Sequence, residues 1–178
     1  MTDAADVIDF WSVAGFAHWF GKDAGFDADF RRRFLAAHET AASGALDWWA
    51  ETPEGALALV ILLDQFPRNA FRDSARMFAT DAKALGIADA AIAAGHDQHI
   101  EEALRLFLYL PFEHSERIED QQRAVALISP LGGEPLRYAE IHRDVIDRFG
   151  RFPHRNTLLG RVSTPEELDF LATGGFAG

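Results

Sequence analysis

The chain contains no cysteine, which removes disulfides, thiolate nucleophiles and cysteine-ligated zinc from consideration. It is also poor in positive charge: 17 lysines and arginines stand against 28 acids, for a formal net charge of −11. A groove that tracks phosphates needs a broad basic surface, so nucleic acid is not an expected partner. Long apolar runs are missing too. The longest, Ala56 to Leu63, has eight residues, short of the ~20 that span a membrane, and reads as a buried helix. Acids stand near the N-terminus where a signal peptide would carry positive charge, which points to a cytoplasmic protein. H-E-x-x-H is absent, and His96 with His99 is a bare three-residue spacing at a helix start. No metal and no cofactor are therefore expected.

What is present favours helix. Alanine is the commonest residue and alternating β-branched stretches are lacking, so the spacing of apolar residues predicts an all-α protein. With 48% hydrophobic and 25% charged residues and no Ser-, Gly- or Pro-rich linker, residues 1–178 read as a single helical domain. About eight helices in antiparallel pairs are expected. Asp27 looks like the N-cap of a helix carrying Phe30, Phe34 and Ala37. Thr52-Pro53 opens the apolar run, and Pro67 is expected to close it. Asp73 and Asp97 read as caps of two further helices, the second ending at Pro111. Ser115 starts another. Gly150 falls just past the end of the helix holding Val145 and Ile146, and Thr164-Pro165 with Glu167 forms a capping-box pattern.

Two related segments stand out: Asp64-Gln65-Phe66-Pro67-Arg68-Asn69, and Arg148 to Asn156, which contains Phe152-Pro153-His154-Arg155-Asn156. Each places guanidinium and amide groups after an apolar helical run, at a corner stiffened by proline. Between Asp147 and Glu166 lie four arginines (Arg148, Arg151, Arg155, Arg161) and no acid. In an acidic chain that local reversal of sign marks where an anion or carboxylate would be held, with Asn69, Asn156 and Gln65 as amide partners. Asp64 projects from the buried stripe of its helix, so it needs a partner. It either locks an arginine such as Arg68 or Arg155 in an internal network, or orients one in a ligand pocket. His142 sits on the apolar face of its helix and reads as a hydrogen-bonded core residue or a ligand contact. The stretch Glu113-His114-Ser115-Glu116 with Asp120-Gln121 packs an imidazole and acids around a helix start, and His114, Glu116, Asp120 and His154 are the acid–base candidates.

The segments Leu62 to Asn69 with Phe71-Arg72, Pro111 to Glu116 with Asp120-Gln121, and Arg148 to Asn156 with Leu159-Gly160-Arg161 and Ser163 to Glu167 appear in one order along the chain. In this they resemble the bacterial family called domain of unknown function 924, from Asp6 to Leu171. The resemblance implies a compact fold related to tetratricopeptide-like helical hairpins and carries no activity with it. One departure is an insertion at Val13 to Phe16, where the family more often runs directly from Phe-Trp into Phe-Gly.

These features lead to three expectations. The first is a module binding a small anionic ligand or a peptide carboxylate, lined by Asp64, Gln65, Arg68, Asn69, His142, Arg151, Arg155, Asn156 and Arg161. The second is a hydrolase with a His/Glu acid–base pair. The third is a scaffold for a protein partner in which the polar motifs form a structural network.

Overall fold

The computed structural model describes residues 2–178, and among them the chain is all-helical, with no strand. It divides into two compact units, residues 1–111 and 112–178. Among the described residues, no helix is long and apolar enough to cross a membrane.

The first unit holds α1 (Ala4–Trp19), α2 (Ala24–Ala42), α3 (Pro53–Val60), α4 (Phe66–Ala70) and α5 (Asp81–Ala93). The boundary falls within α6 (Glu102–Glu113). Asp3 and Asp6 form a reciprocal capping box at the start of α1. That helix breaks at Gly15, whose φ of 66° lies in the left-handed region that glycine tolerates. The break falls between Val13 and Phe16. It lets Trp19 Nε1 donate to the Trp11 carbonyl at 2.7 Å and meet Phe107 edge-on at 4.9 Å. Around Trp11, the rings of Phe10, Phe26 and Phe30 stack or tilt together. Every residue of α3 after Glu54 is buried, so the longest apolar run forms the centre of this core.

Several helix ends differ from the sequence expectation. Asp23, not Asp27, caps α2, accepting from the Gly25 and Phe26 amides. Pro67 does not close the apolar run. Ile61–Gln65 forms a π turn and the chain continues into α4, with Pro67 in its first turn. Proline removes the amide that would bond the carbonyl four residues back. The structure supplies substitutes, since Thr80 Oγ1 donates to the Leu63 carbonyl and His38 Nδ1 donates to that of Leu62 at 2.9 Å. Asp73 caps nothing: Ser74 caps the short 3₁₀ turn Ala75–Phe78, and α5 begins only at Asp81. Asp97 lies in another 3₁₀ turn and accepts the Tyr109 hydroxyl at 2.9 Å. Pro111 is inside α6, which runs on to Glu113.

In the second unit, α7 (Ile118–Ile128) packs along α8 (Gly133–Phe149), and α9 (Pro165–Ala172) follows. Val145, Ile146 and Phe152 form its core, with Ile118, Phe149, Phe170 and Phe176 packed around them. Ser115 does not cap α7. Its hydroxyl donates to Asp120 at 2.6 Å, and Arg117 holds the cap position without a side-chain bond. Gly150, at φ 67°, ends α8, and the capping box of α9 forms through Thr164 and Glu167, both as the sequence predicts.

Candidate functional site

The first polar motif folds within residues 1–111 and the other two within 112–178. In the first, Asp64 is fully buried in the π turn. Arg68 reaches it at 3.2 Å, donates to its carbonyl at 2.7 Å and grips Asp81 through both terminal nitrogens, at 2.9 and 3.0 Å. Burial pulls the Arg68 pKa down, but Asp64 and Asp81 together outweigh it and hold the value above the ordinary one. Gln65 Nε2 donates to Asp64 at 2.6 Å. Asp27 accepts Asn69 at 2.7 Å and Arg72 at 2.5 and 3.1 Å, so its carboxylate anchors the corner after Pro67.

In the second unit the arginine run meets acids of its own unit. Arg161 forks onto Glu116 at 2.7 and 2.9 Å, and the Phe152 amide donates to the same carboxylate at 2.8 Å. Burial pushes Glu116 up, yet the Arg161 and Phe152 bonds leave it below the ordinary value. Arg151 forks onto Glu167 at 2.6 and 2.8 Å. With the Thr164 amide and Asn156 adding to that fork, Glu167 is held down to about 2. Arg148 reaches Glu166 at 3.0 Å. Arg155 is buried, donates to the His114 carbonyl at 3.0 Å and lies 4.4 Å above the Phe152 ring. Asn156 Nδ2 donates to Ser163 at 3.0 Å and to Glu167 at 3.2 Å.

Three imidazoles gather in the same unit. His142 Nδ1 lies 2.8 Å from the Tyr138 carbonyl and 3.0 Å from Glu113 Oε1. Two acceptors face that nitrogen, so it carries the proton and leaves Nε2 with the lone pair. The His142 ring is 6.3 Å from His114 and 4.3 Å from Phe176, while His154 lies 5.4 Å from Phe176. Burial above all, with smaller contributions from His114, Arg155 and His154, pushes His142 down to about 3. Of the acid–base candidates, Glu116 is bonded to Arg161 and Asp120 to Ser115. Glu113, which was not among those candidates, stands 3.0 Å from His142 Nδ1. Among the described residues, no group of three or more His, Asp or Glu is placed to hold a metal ion.

Sequence reasoning missed Asp81, and it missed the roles of Asp27 and Glu113 and the second role of Glu167. One signal was available for Glu167: Glu166 and Glu167 bound the arginine run on its C-terminal side, and these two acids pair with Arg148 and Arg151.

A family model described as "Bacterial protein of unknown function (DUF924)" matches residues 7–175. The solved structure of a protein of unknown function from Agrobacterium tumefaciens is 57% identical and superposes with a TM-score of 0.94, over 96% of this chain and 97% of that one. No curated protein matches the chain.

Proposed function

The chain belongs to this bacterial family of proteins of unknown function, and on that premise we propose that it is a cytoplasmic helical scaffold that binds protein partners through its outer surface. One observation carries the reading: the guanidinium forks expected to clamp an anion are engaged inside their own units, Arg68 by Asp81, Arg151 by Glu167 and Arg161 by Glu116. A bidentate carboxylate occupies the donors that a ligand carboxylate or phosphate would need. Removing the arginine from such a pair leaves its acid uncompensated, so the pairs resist exchange. The Phe-Pro and Arg-Asn corners then act as cross-braces, and helical hairpins of the tetratricopeptide kind present the working faces. Val13 (87% exposed), Phe16 (65%) and Phe20 (52%) stand out around the Gly15 bend. Apolar side chains exposed together in this way suit a partner surface.

The experiment places a photoreactive residue at Val13 in cells, with the exposed polar position Glu119 as control. Discrete protein adducts at position 13, lost when Phe16→Glu is added, are the expected result. Adducts no different from those of the control overturn the reading.

A small anionic ligand or peptide carboxylate is the second reading, and the gathering of His114, His142, His154 and Arg155 favours it. Arg155 brings a guanidinium to this gathering, bonded to the His114 carbonyl at 3.0 Å. Thermal stabilisation by metabolite anions in the wild type, absent in Arg155→Ala, would support this site. A hydrolytic role would fall to His142, which Glu113 orients. An imidazole held near 3 is a weak general base at neutral pH, which counts against it.

A further inference from the structure

The first unit carries an open groove of about 360 Å³ bounded by Asp3, Ala4 and Ala5 at the start of α1, by Thr52 and Gly55 at the start of α3, and by Trp48, Trp49 and Glu51 between them. Trp49 is buried, whereas Trp48 is 65% exposed. Their rings meet at 90° with centroids 6.2 Å apart, so the exposed Trp48 ring stands braced against the buried Trp49. The wall is stiff. Thr52 N donates to the Trp49 carbonyl at 3.2 Å, and a Cβ at position 55 would come within 2.0 Å of the same oxygen, so only glycine admits this approach.

Charge decides what fits. The lining includes two carboxylates, Asp3 and Glu51, and no Lys, Arg or His. Asp3 is engaged by the Asp6 amide, whereas Glu51 has no hydrogen-bond or ion-pair partner among the described residues. Partial positive charge from the two helix starts is answered in the first turns by Asp6 and Glu54. The face of an indole attracts cations more strongly than that of any other side chain. We propose that the Trp48–Trp49 groove binds an ammonium group, a lysine or methyl-lysine side chain presented by a partner peptide, with Trp48 against the cation and Glu51 and Asp3 as counter-charges. The choice of a peptide as carrier rests on the scaffold reading; the site itself does not.

The test titrates the intact protein with an acetylated, amidated trimethyl-lysine peptide, its lysine form and its uncharged tert-butyl isostere, following Trp fluorescence and heat. Saturable binding of both charged peptides, with the neutral isostere weaker by about tenfold, is expected. Trp48→Ala should weaken binding about tenfold, and Trp48→Phe less. Glu51→Gln should weaken it by about threefold at low salt, a difference that shrinks as salt rises. Trp48 is mostly exposed, so these variants keep the thermal midpoint of the wild type. Absence of saturation, equal binding of the neutral isostere, or binding indifferent to Trp48→Ala each overturns the proposal. Failure here with Val13 adducts intact removes the groove alone; groove binding without those adducts removes the scaffold reading and the peptide carrier with it, and leaves the ammonium site.

Discussion

Arg151 holds Glu167 through two nitrogens, at 2.6 and 2.8 Å, while the same carboxylate receives the Thr164 amide at 2.7 Å and starts α9. One side chain therefore caps a helix and ties it to the corner after α8. Glu167 is nearly inaccessible, and its bonds leave little freedom to α9.

If the fork and the cap act as one unit, their losses are not additive. Glu167→Gln and Arg151→Ala should each lower the urea midpoint, and the double variant should fall by clearly less than the sum. Thr164→Ala, which removes only the cap oxygen, should cost about 1 kcal/mol. Additive losses across the Arg151/Glu167 cycle would show that the two groups act separately.

Acid should destabilise the second unit in two steps of the same sign. Glu167 lies at about 2 against an ordinary 4.5, so its contribution is full above about pH 5 and is lost as pH falls toward 2. His142 lies at about 3 against 6.5. Between those values the unfolded chain binds the proton and the folded one does not, so stability falls with pH there as well. Unfolding midpoints measured from pH 7 to 4 should decline in the wild type and less steeply in His142→Phe.

Asp64 is the acid in the first unit with the least access to water. Arg68→Ala should cost about 3–5 kcal/mol, because it uncovers a buried carboxylate. Adding Asp64→Asn should recover part of that loss. A urea series on the single and double variants reads both, and a double variant weaker than Arg68→Ala would refute the pairing.

Two glycines should respond differently to alanine. Gly150→Ala forces a left-handed residue onto a side chain with nothing within 4 Å and should cost about 1 kcal/mol. Gly55→Ala drives a methyl into the Trp49 carbonyl, 2.0 Å away, so the backbone must shift. It should be the more destabilising of the two and should also weaken ammonium binding in the groove.

Local chemistry was legible in the sequence. Thr52, Thr164 and Gly150 act as read, because each cap depends on residues within a turn of itself. Pro67 and Pro111 misled, since what a proline breaks in a helix can be mended from elsewhere, as Thr80 and His38 do for the carbonyls of Leu63 and Leu62. Asp23 and Asp27 are four residues apart and equally suited to capping; Asp27 is instead engaged by Asn69 and Arg72, more than forty residues on. The polar motifs named arginines that stand in ion pairs, Arg68, Arg151 and Arg161, and left open the choice between ligand and network. Asp81, which answers Arg68, sits on another helix, and spacing within a motif carries no information about it; Glu167 bounds the arginine run and was within reach.

The π turn at Ile61–Gln65 is an insertion absorbed by the helix. It holds one residue more than an α turn would, and each residue advances a helix by about 100°. Deleting a single residue between Ile61 and Gln65 would therefore leave a helix of ordinary pitch whose downstream face has rotated by about a quarter of a circle. Arg68 and Asn69 would then leave the axis away from Asp81 and Asp27. The extra residue is a phase adjuster, setting the azimuth at which the polar corner departs from the apolar rod.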